Sequence, residues 1–336
     1  MKLSDIADQF HLESLGNTDV EITGIAGLEG ASDHQLSFLF SSNYRDLLAE
    51  SQAGAVVLFP EDAALTNKPR LLSENPRMAW ARIASLFDPA PLAMPVIAPS
   101  AVISDTASIG QGVAIGAGAV IRSGASIEDG AHIGANCYIG ESAKIGKGSL
   151  IKPNVVVYHD VQVGESCIIH ANAVLGADGF GFEFDADTGD YVKIPQVFAV
   201  IVGDNVEIGA GTTIDCGALN HTTIGSGCKL DNQVQVGHGT SIGHHTVISG
   251  CTAIAGSTKI GSYCLIGGAV GIVDNIEIVD RVEITAMTLV SQSILEQGRY
   301  SSGTGLMSGY KWKRSVVGFR KLDNILKRIK RLESGQ

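Results

Sequence analysis

The sequence of 336 residues lacks several features that mark particular classes of protein. Aromatic residues make up only 6% and charged residues 18%, so a large aromatic core and a highly charged disordered chain are both disfavoured. There is no run of 18 apolar residues, and therefore no predicted membrane-spanning helix. Residues 1–10 lack the basic start, apolar stretch and small-residue cleavage site of a signal peptide, so a cytoplasmic protein is expected.

Cysteine is also too sparse to form a disulfide scaffold. The six cysteines include no CxxC pair, and the chain is much longer than disulfide-dense domains. We therefore expect reduced, buried, structural thiols at Cys137, Cys167, Cys216, Cys228, Cys251 and Cys264.

Charge is distributed unevenly along the chain. The net charge is −11, yet from Lys311 onward nine Lys or Arg residues face only Asp323 and Glu333. An acidic body with a basic end argues against general nucleic-acid binding and favours one localised acidic partner.

An aliphatic residue recurs every six positions through most of the chain. The repeat holds from Ile97 to Leu175, resumes from Val202 to Ile214, and continues from Ile224 to Val290. The position two residues earlier is small or β-branched, and four of the six cysteines occupy it. Helical 3- and 4-residue spacing is absent. A hexapeptide period predicts a parallel β-helix with three hexads per turn, hence about ten coils spaced about 4.8 Å apart.

The segments that lack the hexad define three predicted parts. Residues 1–95 predict a small α/β domain, with helices near 3–10, 44–50 and 76–87 and strands near 20–25, 36–40 and 55–59. The junction is marked by Pro91, Pro95 and Pro99. Residues 96–295 form the predicted coil, and residues 296–336 a basic helical segment in which Phe319, Leu322, Leu326 and Ile329 have helical spacing. A loop at 176–197 interrupts the coil, and loops this long are usually functional.

Three motifs narrow the interpretation beyond the hexads, which alone indicate only a chemically varied superfamily. They are GADGFGF at 176–182, KIPQ at 193–196 and DNQVQVGH at 231–238. With the flanking segments, they make essentially the whole chain resemble the UDP-3-O-acylglucosamine N-acyltransferases of lipid A synthesis, which are left-handed parallel β-helix enzymes. The resemblance implies the left hand of the coil, which periodicity alone does not give, and a homotrimer with active sites between adjacent β-helices.

The same resemblance implies the reaction and the partners. A 3-hydroxyacyl chain would pass from the phosphopantetheine of acyl carrier protein to the 2-amino group of UDP-3-O-(3-hydroxyacyl)glucosamine. No bound cofactor or metal is expected, and the location implied is the cytosol of a Gram-negative bacterium. Two departures from the family pattern stand out: Ser41 replaces a frequent asparagine, and Asn275 stands where a second histidine is expected.

Among the residues carried over, His238 matches the catalytic base and Gly256 a backbone amide that binds the oxyanion. Local chemistry agrees, because amide formation from a thioester needs a base for the amine and a donor for the carbonyl oxygen. Histidine titrates near neutral pH, and Gly256 follows His238 by one 18-residue turn of the coil. No Ser or Cys nucleophile is required, so direct transfer is expected. The alternative is that His238 is a solvent-facing turn residue.

The resemblance implies further contacts, each with a structural alternative. Uracil would lie between Phe38 and Tyr44, although aromatic residues of a small domain are more often core. Other substrate contacts would come from Ser41, Asp231, Asn232, Gln235 and Asn275, with Asp231 either orienting His238 or acting as a turn residue. The acyl groove would involve Phe180, Phe182 and Leu289, which could equally be packing residues. Carrier protein would bind Lys311, Lys313, Arg314, Arg320 and Lys321; a solvated trimeric bundle or contact with the inner membrane is the alternative.

Three rival functions remain open on the sequence alone. A coenzyme A-dependent sugar-nucleotide acetyltransferase shares the coil, but the long loop and basic tail argue against it. A metal hydratase such as a γ-class carbonic anhydrase needs three converging histidines, and the spacing of His238 and His244 supplies no third. A non-catalytic trimeric scaffold is the last alternative.

Overall fold

The computed structural model describes residues 1–89 and 95–335, and the chain divides into two compact units, Met1–Leu92 and Ala93–Gln336. The predicted junction residue Pro91 lies outside the described residues. The three-part division at 1–95, 96–295 and 296–336 therefore stays a prediction.

The first unit is a five-stranded sheet with three α-helices. The helices are α1 (Leu3–Phe10), α2 (Arg45–Glu50) and α3 (Pro76–Ala84), and 3-10 turns cover Ser42–Tyr44, Pro60–Leu65 and Ser85–Phe87. The strands are β1 (Glu13–Leu15), β2 (Gly24–Ile25), β3 (Gln35–Phe38), β4 (Ala55–Leu58) and β5 (Arg70–Leu72), in the order β1-β5-β4-β3-β2. Only β1 is antiparallel to its neighbour.

The sheet of the first unit is buried on both faces. In β4, Val57 joins an apolar cluster with Leu3 and Ile6 of α1, whereas the adjacent Val56 joins a cluster with Leu39 and other residues. Neighbouring strand residues point to opposite faces, so a continuous apolar run such as 55–58 is what a doubly covered strand requires.

The second unit begins as a coil of very short strands. In chain order these are β6 (Val102–Ile103), β7 (Ser108–Ile109), β8 (Ala114–Ile115), β9 (Val120–Ile121), β10 (Ser126–Ile127), β11 (His132–Ile133), β12 (Tyr138–Ile139), β13 (Lys144–Ile145), β14 (Leu150–Ile151), β15 (Val156–Val157), β16 (Gln162–Val163), β17 (Ile168–Ile169), β18 (Val174–Ala177), β19 (Phe182–Asp185), β20 (Asp190–Lys193), β21 (Val200–Val202), β22 (Glu207–Ile208), β23 (Thr213–Asp215), β24 (Thr222–Ile224), β25 (Lys229–Leu230), β26 (Gln235–Val236), β27 (Ser241–Ile242), β28 (Val247–Ile248), β29 (Ala253–Ile254), β30 (Lys259–Ile260), β31 (Leu265–Ile266), β32 (Gly271–Ile272), β33 (Glu277–Ile278), β34 (Glu283–Ile284), β35 (Leu289–Val290) and β36 (Arg299–Tyr300).

Apart from β19 and β20, which pair with each other in an antiparallel hairpin, these strands form three parallel sheets, which are the faces of the coil. Face I runs β6-β9-β12-β15-β18-β23-β26-β29-β32-β35, face II runs from β8 to β36, and face III runs from β7 to β33. Within each face, the aliphatic hexad residue of one coil pairs with that of the following coil, as Ile133 does with Ile151. Two faces have ten strands and the third has nine, so the predicted parallel β-helix of about ten coils is confirmed.

The interior of the coil contains the aliphatic hexad residues and a second column of small residues. From Ile115 to Val290 each aliphatic hexad side chain is nearly inaccessible to solvent, whereas Ile97 at the start of the coil is 45% exposed. Polar small residues of the second column bond to the next coil. Thr246 donates its hydroxyl to the Gly261 carbonyl (2.8 Å) and accepts the N–H of Cys264 (3.1 Å). The Cys228 thiol likewise donates to the Gly243 carbonyl (2.9 Å). Threonine and cysteine are therefore interchangeable here, because both donate to a carbonyl of the next coil.

The expectation for cysteine holds at five positions and is wrong at one. Five thiols are buried, and burial raises the pKa of Cys137, Cys167, Cys216, Cys228 and Cys264. Cys251 is exposed instead. It occupies a corner of the coil with φ of 60°, outside the small inward column, so its side chain faces solvent.

The coil ends later than the hexads predict. The repeat stops at Val290, but Ile294 still pairs with Ile278, and β36 pairs with β34 and packs Tyr300 against the core. The backbone therefore follows the coil beyond the pattern, with an aromatic ring in place of an aliphatic one. The basic segment then forms two helices, α4 (Gly309–Arg320) and α5 (Leu322–Glu333), which confirms the expected C-terminal α-helices. The four apolar residues with helical spacing are divided between them, with Phe319 on α4 and Leu322, Leu326 and Ile329 on α5. No helix within residues 1–89 and 95–335 is long and apolar enough to cross a bilayer.

Replacing Thr246 by valine is expected to destabilise the coil. Valine preserves the volume but leaves the Gly261 carbonyl and the Cys264 N–H unpaired in a site with no solvent exposure. We expect a loss of at least about 2 kcal/mol in the free energy of unfolding, measured by urea denaturation. Thr223→Val is the control, because within the described residues that partly exposed hydroxyl bonds to Ser241 alone. An equal loss in both variants would contradict this explanation.

Candidate active site

His238 lies at the corner of the coil that follows β26. Because Val236 pairs with Ile254, Gly256 occupies the same corner one coil further on. A Cβ added at Gly256 would lie 2.7 Å from His238 Nε2 and 2.8 Å from its Cε1. The imidazole therefore rests directly on the Gly256 backbone, and only glycine leaves room for it there.

The Gly256 backbone offers a free donor beside this ring. Its carbonyl accepts the N–H of Asn275 (3.1 Å), but among the described residues its own N–H has no acceptor. Corner amides of the coil are of two kinds: the Ser262 N–H donates to Asp280 Oδ1 (2.7 Å) and the Gly250 N–H to Asp231 Oδ2 (2.9 Å), whereas the Gly268 N–H, like that of Gly256, has no acceptor among the described residues. An unpaired N–H beside a potential base is suited to bind a developing oxyanion.

Asp215 is a site residue that the sequence did not predict. Gln235 Nε2 donates to Asp215 Oδ2 (2.9 Å), and the side-chain oxygen of Gln235, Oε1, accepts a hydrogen bond from the Thr213 hydroxyl. Burial raises the pKa of Asp215, while the Gln235 hydrogen bond and the charge of His238 act to lower it. A carboxyl group is thus held within electrostatic range of His238. The six-residue repeat is broken between Ile214 and Ile224, and this break is the sequence signal that could have located Asp215.

Replacing Asp215 by asparagine is expected to raise stability and lower activity. The folded pKa of Asp215 lies above its ordinary value of 3.8, so ionisation of this carboxyl disfavours the folded state. Below about pH 3.8 the asparagine variant and the wild type should have the same melting temperature. As the pH rises above that value, the melting temperature of the variant should increase relative to that of the wild type. Its transfer rate should fall about tenfold because the imidazolium loses a counter-charge. A variant less stable than the wild type at pH 7 would contradict this assignment.

The loop at 176–197 packs against His238. It contains a hairpin of β19 and β20, and its base is held by an ion pair between Lys193 and Asp178. A Cβ added at Gly179 would lie 2.5 Å from His238 Cβ, so this limb of the loop also depends on glycine. The next residues are the predicted groove aromatics: Phe180 is 88% exposed and meets Phe182 edge-on at 5.1 Å. The two rings therefore follow directly after the segment of the loop that contacts the histidine.

Asp231 and Asn232 lie at a different corner from His238. The Asp231 carboxylate accepts the N–H groups of Asn232 (2.7 Å) and Gly250 (2.9 Å), and Asn232 Oδ1 accepts the Ala210 N–H (2.6 Å). Both residues line a groove of about 620 Å³ on face II, which does not include His238. Within this chain Asp231 therefore stabilises a turn and does not orient the base.

The remaining expected contacts in the coil are spread along it. Asn275 is an exposed corner residue, and its Nδ2 donates to Asp274 Oδ2 (2.7 Å). Leu289 is exposed on face I, three coils from Gln235. The basic side chains are all exposed, four on α4 and one between α4 and α5: Lys311, Lys313, Arg314, Arg320 and Lys321.

The aromatic pair expected to bind uracil is only half accessible in the first unit. Phe38 is 7% exposed and lies parallel to Phe40, with ring centroids 5.9 Å apart. Tyr44 is 50% exposed at the start of α2, and Ser41 Oγ accepts the Asn43 N–H (3.1 Å) at the preceding turn. Tyr44 thus offers a ring face to a base while Phe38 belongs to the core, and their joint role stays a prediction.

No group of three or more His, Cys, Asp or Glu side chains in the described part of the chain is arranged to hold a metal ion.

Two family profiles match different parts of the chain. The profile described as "UDP-3-O-(3-hydroxymyristoyl) glucosamine N-acyltransferase, LpxD" matches residues 19–86. The profile "Bacterial transferase hexapeptide (six repeats)" matches residues 106–141 and 142–177. Among solved structures, an Arabidopsis UDP-N-acetylglucosamine acyltransferase shares the fold with a TM-score of 0.54 and 22% identity, over 63% of this chain and 74% of that one. The fold and these matches define an acyltransferase built on a left-handed parallel β-helix.

Relatives at higher identity span nearly the whole chain. A UDP-3-O-acylglucosamine N-acyltransferase of Pseudomonas putida strain F1 is 49% identical over 333 residues, which is 99% of this chain and 94% of that protein. The enzyme of the same name from Pseudomonas syringae pv. tomato strain DC3000 is 44% identical over the same shares. The chain belongs to the UDP-3-O-acylglucosamine N-acyltransferase family.

Proposed function

We propose that the chain transfers a 3-hydroxyacyl group from acyl carrier protein to the 2-amino group of UDP-3-O-(3-hydroxyacyl)glucosamine, a step of lipid A biosynthesis in the cytosol. The observation that carries this proposal is the pairing of His238 with Gly256, whose unpaired N–H lies beside the imidazole. Family membership supplies the substrate class.

Each group in the site has one task in the proposed reaction. His238 takes a proton from the amine as its nitrogen attacks the thioester carbonyl carbon, and the Gly256 N–H donates to the carbonyl oxygen as it becomes negative. The C–N bond forms and the C–S bond breaks. The proton on His238 then passes to the departing pantetheine thiolate, so that no covalent acyl-enzyme is formed and no charge is left over. Asp215 stabilises the transient imidazolium.

The acyl chain would lie along face I, away from His238. The outward residues above Gln235 on this face are Ala253 and Gly271, which leave an open channel, and Leu289 stands at its far end. A Cβ at Gly271 would already lie 3.7 Å from Leu289 Cδ1. Three coil steps from Gln235 to Leu289 span about 14 Å, which sets the room for the chain. Phe180 and Phe182 would cover the end of the channel nearest the histidine.

The proposed homotrimer is supported by the outward residues of the faces. Face I presents mainly apolar side chains, face II a mixture, and face III mainly polar ones. The outward valines of face I are Val102, Val120, Val156 and Val174. Face II presents Leu150, Ile168, Val247 and Leu265 together with His132, Glu207, Lys229, Glu283 and Arg299, and face III presents Ser108, Ser126, Lys144, Gln162, Lys259 and Glu277 beside Ile201. Packing face I of one copy on face II of the next closes a three-fold ring. In that ring, the face II groove with Asp231 and Asn232 lies level with His238 of the neighbour, where it would contact substrate.

The remaining proposed contacts are those with the nucleotide and with the carrier protein. Tyr44, with Phe38 and Ser41, would bind uracil, and Asn275 would donate to the diphosphate side. The basic residues of α4 and α5 would attract the acidic carrier protein. The apolar side of α5 remains exposed in the single chain and would pack against its copies, with a lipid surface as the other possible partner.

A donor comparison tests this proposal. Purified protein is given UDP-3-O-acylglucosamine with one 3-hydroxyacyl chain carried either by acyl carrier protein or by coenzyme A. We expect transfer from the carrier protein, with a KM that rises in Lys311→Glu/Arg314→Glu and not in the control Lys144→Glu on polar face III. Transfer from coenzyme A alone would contradict the proposed donor.

A further inference from the structure

Gln196 is a buried polar residue that the reaction described above does not use. Its side chain is 7% exposed, and Nε2 donates to the Ile194 carbonyl (3.1 Å). Its Oε1 is buried and has no hydrogen-bond partner within the described residues. A buried unpaired carbonyl costs about 1–3 kcal/mol, so its retention requires a reason.

The amide of Gln196 is enclosed by the limb of the loop that touches His238. A Cβ added at Gly181 would lie 2.9 Å from Nε2. A Cβ added at Gly179 would lie 2.9 Å from Oε1 and also 2.9 Å from His238 Cγ. The Ile194 hydrogen bond fixes which end of the amide carries the oxygen, so it is the unpaired carbonyl end that, like the imidazole, contacts the position of a Gly179 Cβ.

We propose that Gln196 is a positioning residue for the base: its unpaired carbonyl oxygen stabilises the positive charge that His238 acquires when it takes the amine proton, and its amide holds the 179–181 limb against the ring. This inference rests on the proposed role of His238. A fixed, buried dipole stabilises a developing charge without having to reorganise. Gln196 itself exchanges no proton.

The other charged groups around His238 explain why a neutral dipole fits here. On the coil side, Asp215 already supplies a negative charge. On the loop side, Asp178 is paired with Lys193, and burial raises the pKa of the adjacent Cys216 thiol, which keeps it neutral. A second carboxylate would hold the imidazolium too firmly for the proton to move on to the thiolate, whereas a carbonyl dipole assists without trapping it.

Two substitutions with opposite expected effects test this inference. Gln196→Met keeps the volume and removes the dipole, and Gln196→Glu adds a negative charge. We expect kcat about tenfold lower in Gln196→Met with KM unchanged. The acidic limb of its pH–rate profile should move to lower pH, because the imidazolium is less stabilised. In Gln196→Glu that limb should move to higher pH. A merely structural role would not produce opposite shifts.

The control is Gln162→Met on polar face III, which should leave rate and pH profile unchanged. Acidic limbs identical to the wild type in both Gln196 variants would overturn the inference, and if Gln196→Glu does not fold, Gln196→Met decides alone. His238→Ala is assayed alongside: loss of activity there with unshifted Gln196 variants rejects only the role of Gln196. Retained activity in His238→Ala rejects the proposed base and, with it, this inference.

Discussion

Replacing His238 by alanine is expected to lower kcat by at least about a hundredfold, with little change in KM or stability. The imidazole lies on Gly256, and no hydrogen bond of the described residues depends on its ring nitrogens. Its removal therefore takes away the base and leaves the coil intact. The measurement is steady-state transfer to the amine at saturating donor, with thermal unfolding recorded for each protein.

The matched control is His159→Ala. His159 is also a coil residue, but it is largely exposed and pairs only with its neighbour Asp160. It should retain the wild-type rate. A His238→Ala variant that keeps more than about a tenth of the wild-type kcat would contradict the assignment of the base.

Replacing Gly256 by alanine is expected to have the second-largest effect, a fall in kcat of about a hundredfold. The added methyl group would lie 2.7 Å from His238 Nε2, so the ring must leave its place above the backbone. The same methyl would crowd the N–H that is proposed to bind the oxyanion. Because the corner is at the surface of the coil, the melting temperature should change little, and the measurement is again kcat beside thermal unfolding.

Gly30→Ala is the control for this substitution, because a Cβ there meets no atom within 4 Å. Normal kcat in that variant separates loss of the site from the general effect of replacing a glycine. An active Gly256→Ala enzyme would show that the imidazole does not act from its position over this backbone.

The coil could be predicted from the sequence because a six-residue period admits few structures. Each hexad places one aliphatic residue inside, and the 18-residue turn alone put Gly256 above His238. In the first unit α1 and β4 could be predicted from the sequence, because each has a strong local pattern of apolar residues. The strands β1 and β5 were missed, because three residues are too few for an alternation to be seen.

The parts of the site that were missed lie where the repeat is broken. Asp215 lies where the six-residue repeat is broken after Ile214, and Gln196 lies at the end of the inserted loop. The repeat therefore does not predict on which face of the coil either residue lies. Their proximity to His238 depends on how the loop folds back, which is tertiary information. The role of Phe38 in uracil binding stays a prediction, and its core alternative has support in this unit, where the ring is 7% exposed and lies parallel to Phe40.

The most direct test of the central claim is the chemical linkage of the new acyl chain. Wild-type protein is given the carrier-bound 3-hydroxyacyl donor with UDP-3-O-acylglucosamine or with the same acceptor N-acetylated at the amine. The products are analysed by mass spectrometry before and after mild alkaline hydrolysis. We predict that only the free amine is acylated and that the new chain survives hydrolysis as an amide. A chain that is lost in alkali, or transferred to the N-acetylated acceptor, would show ester formation and contradict N-acyl transfer by this site.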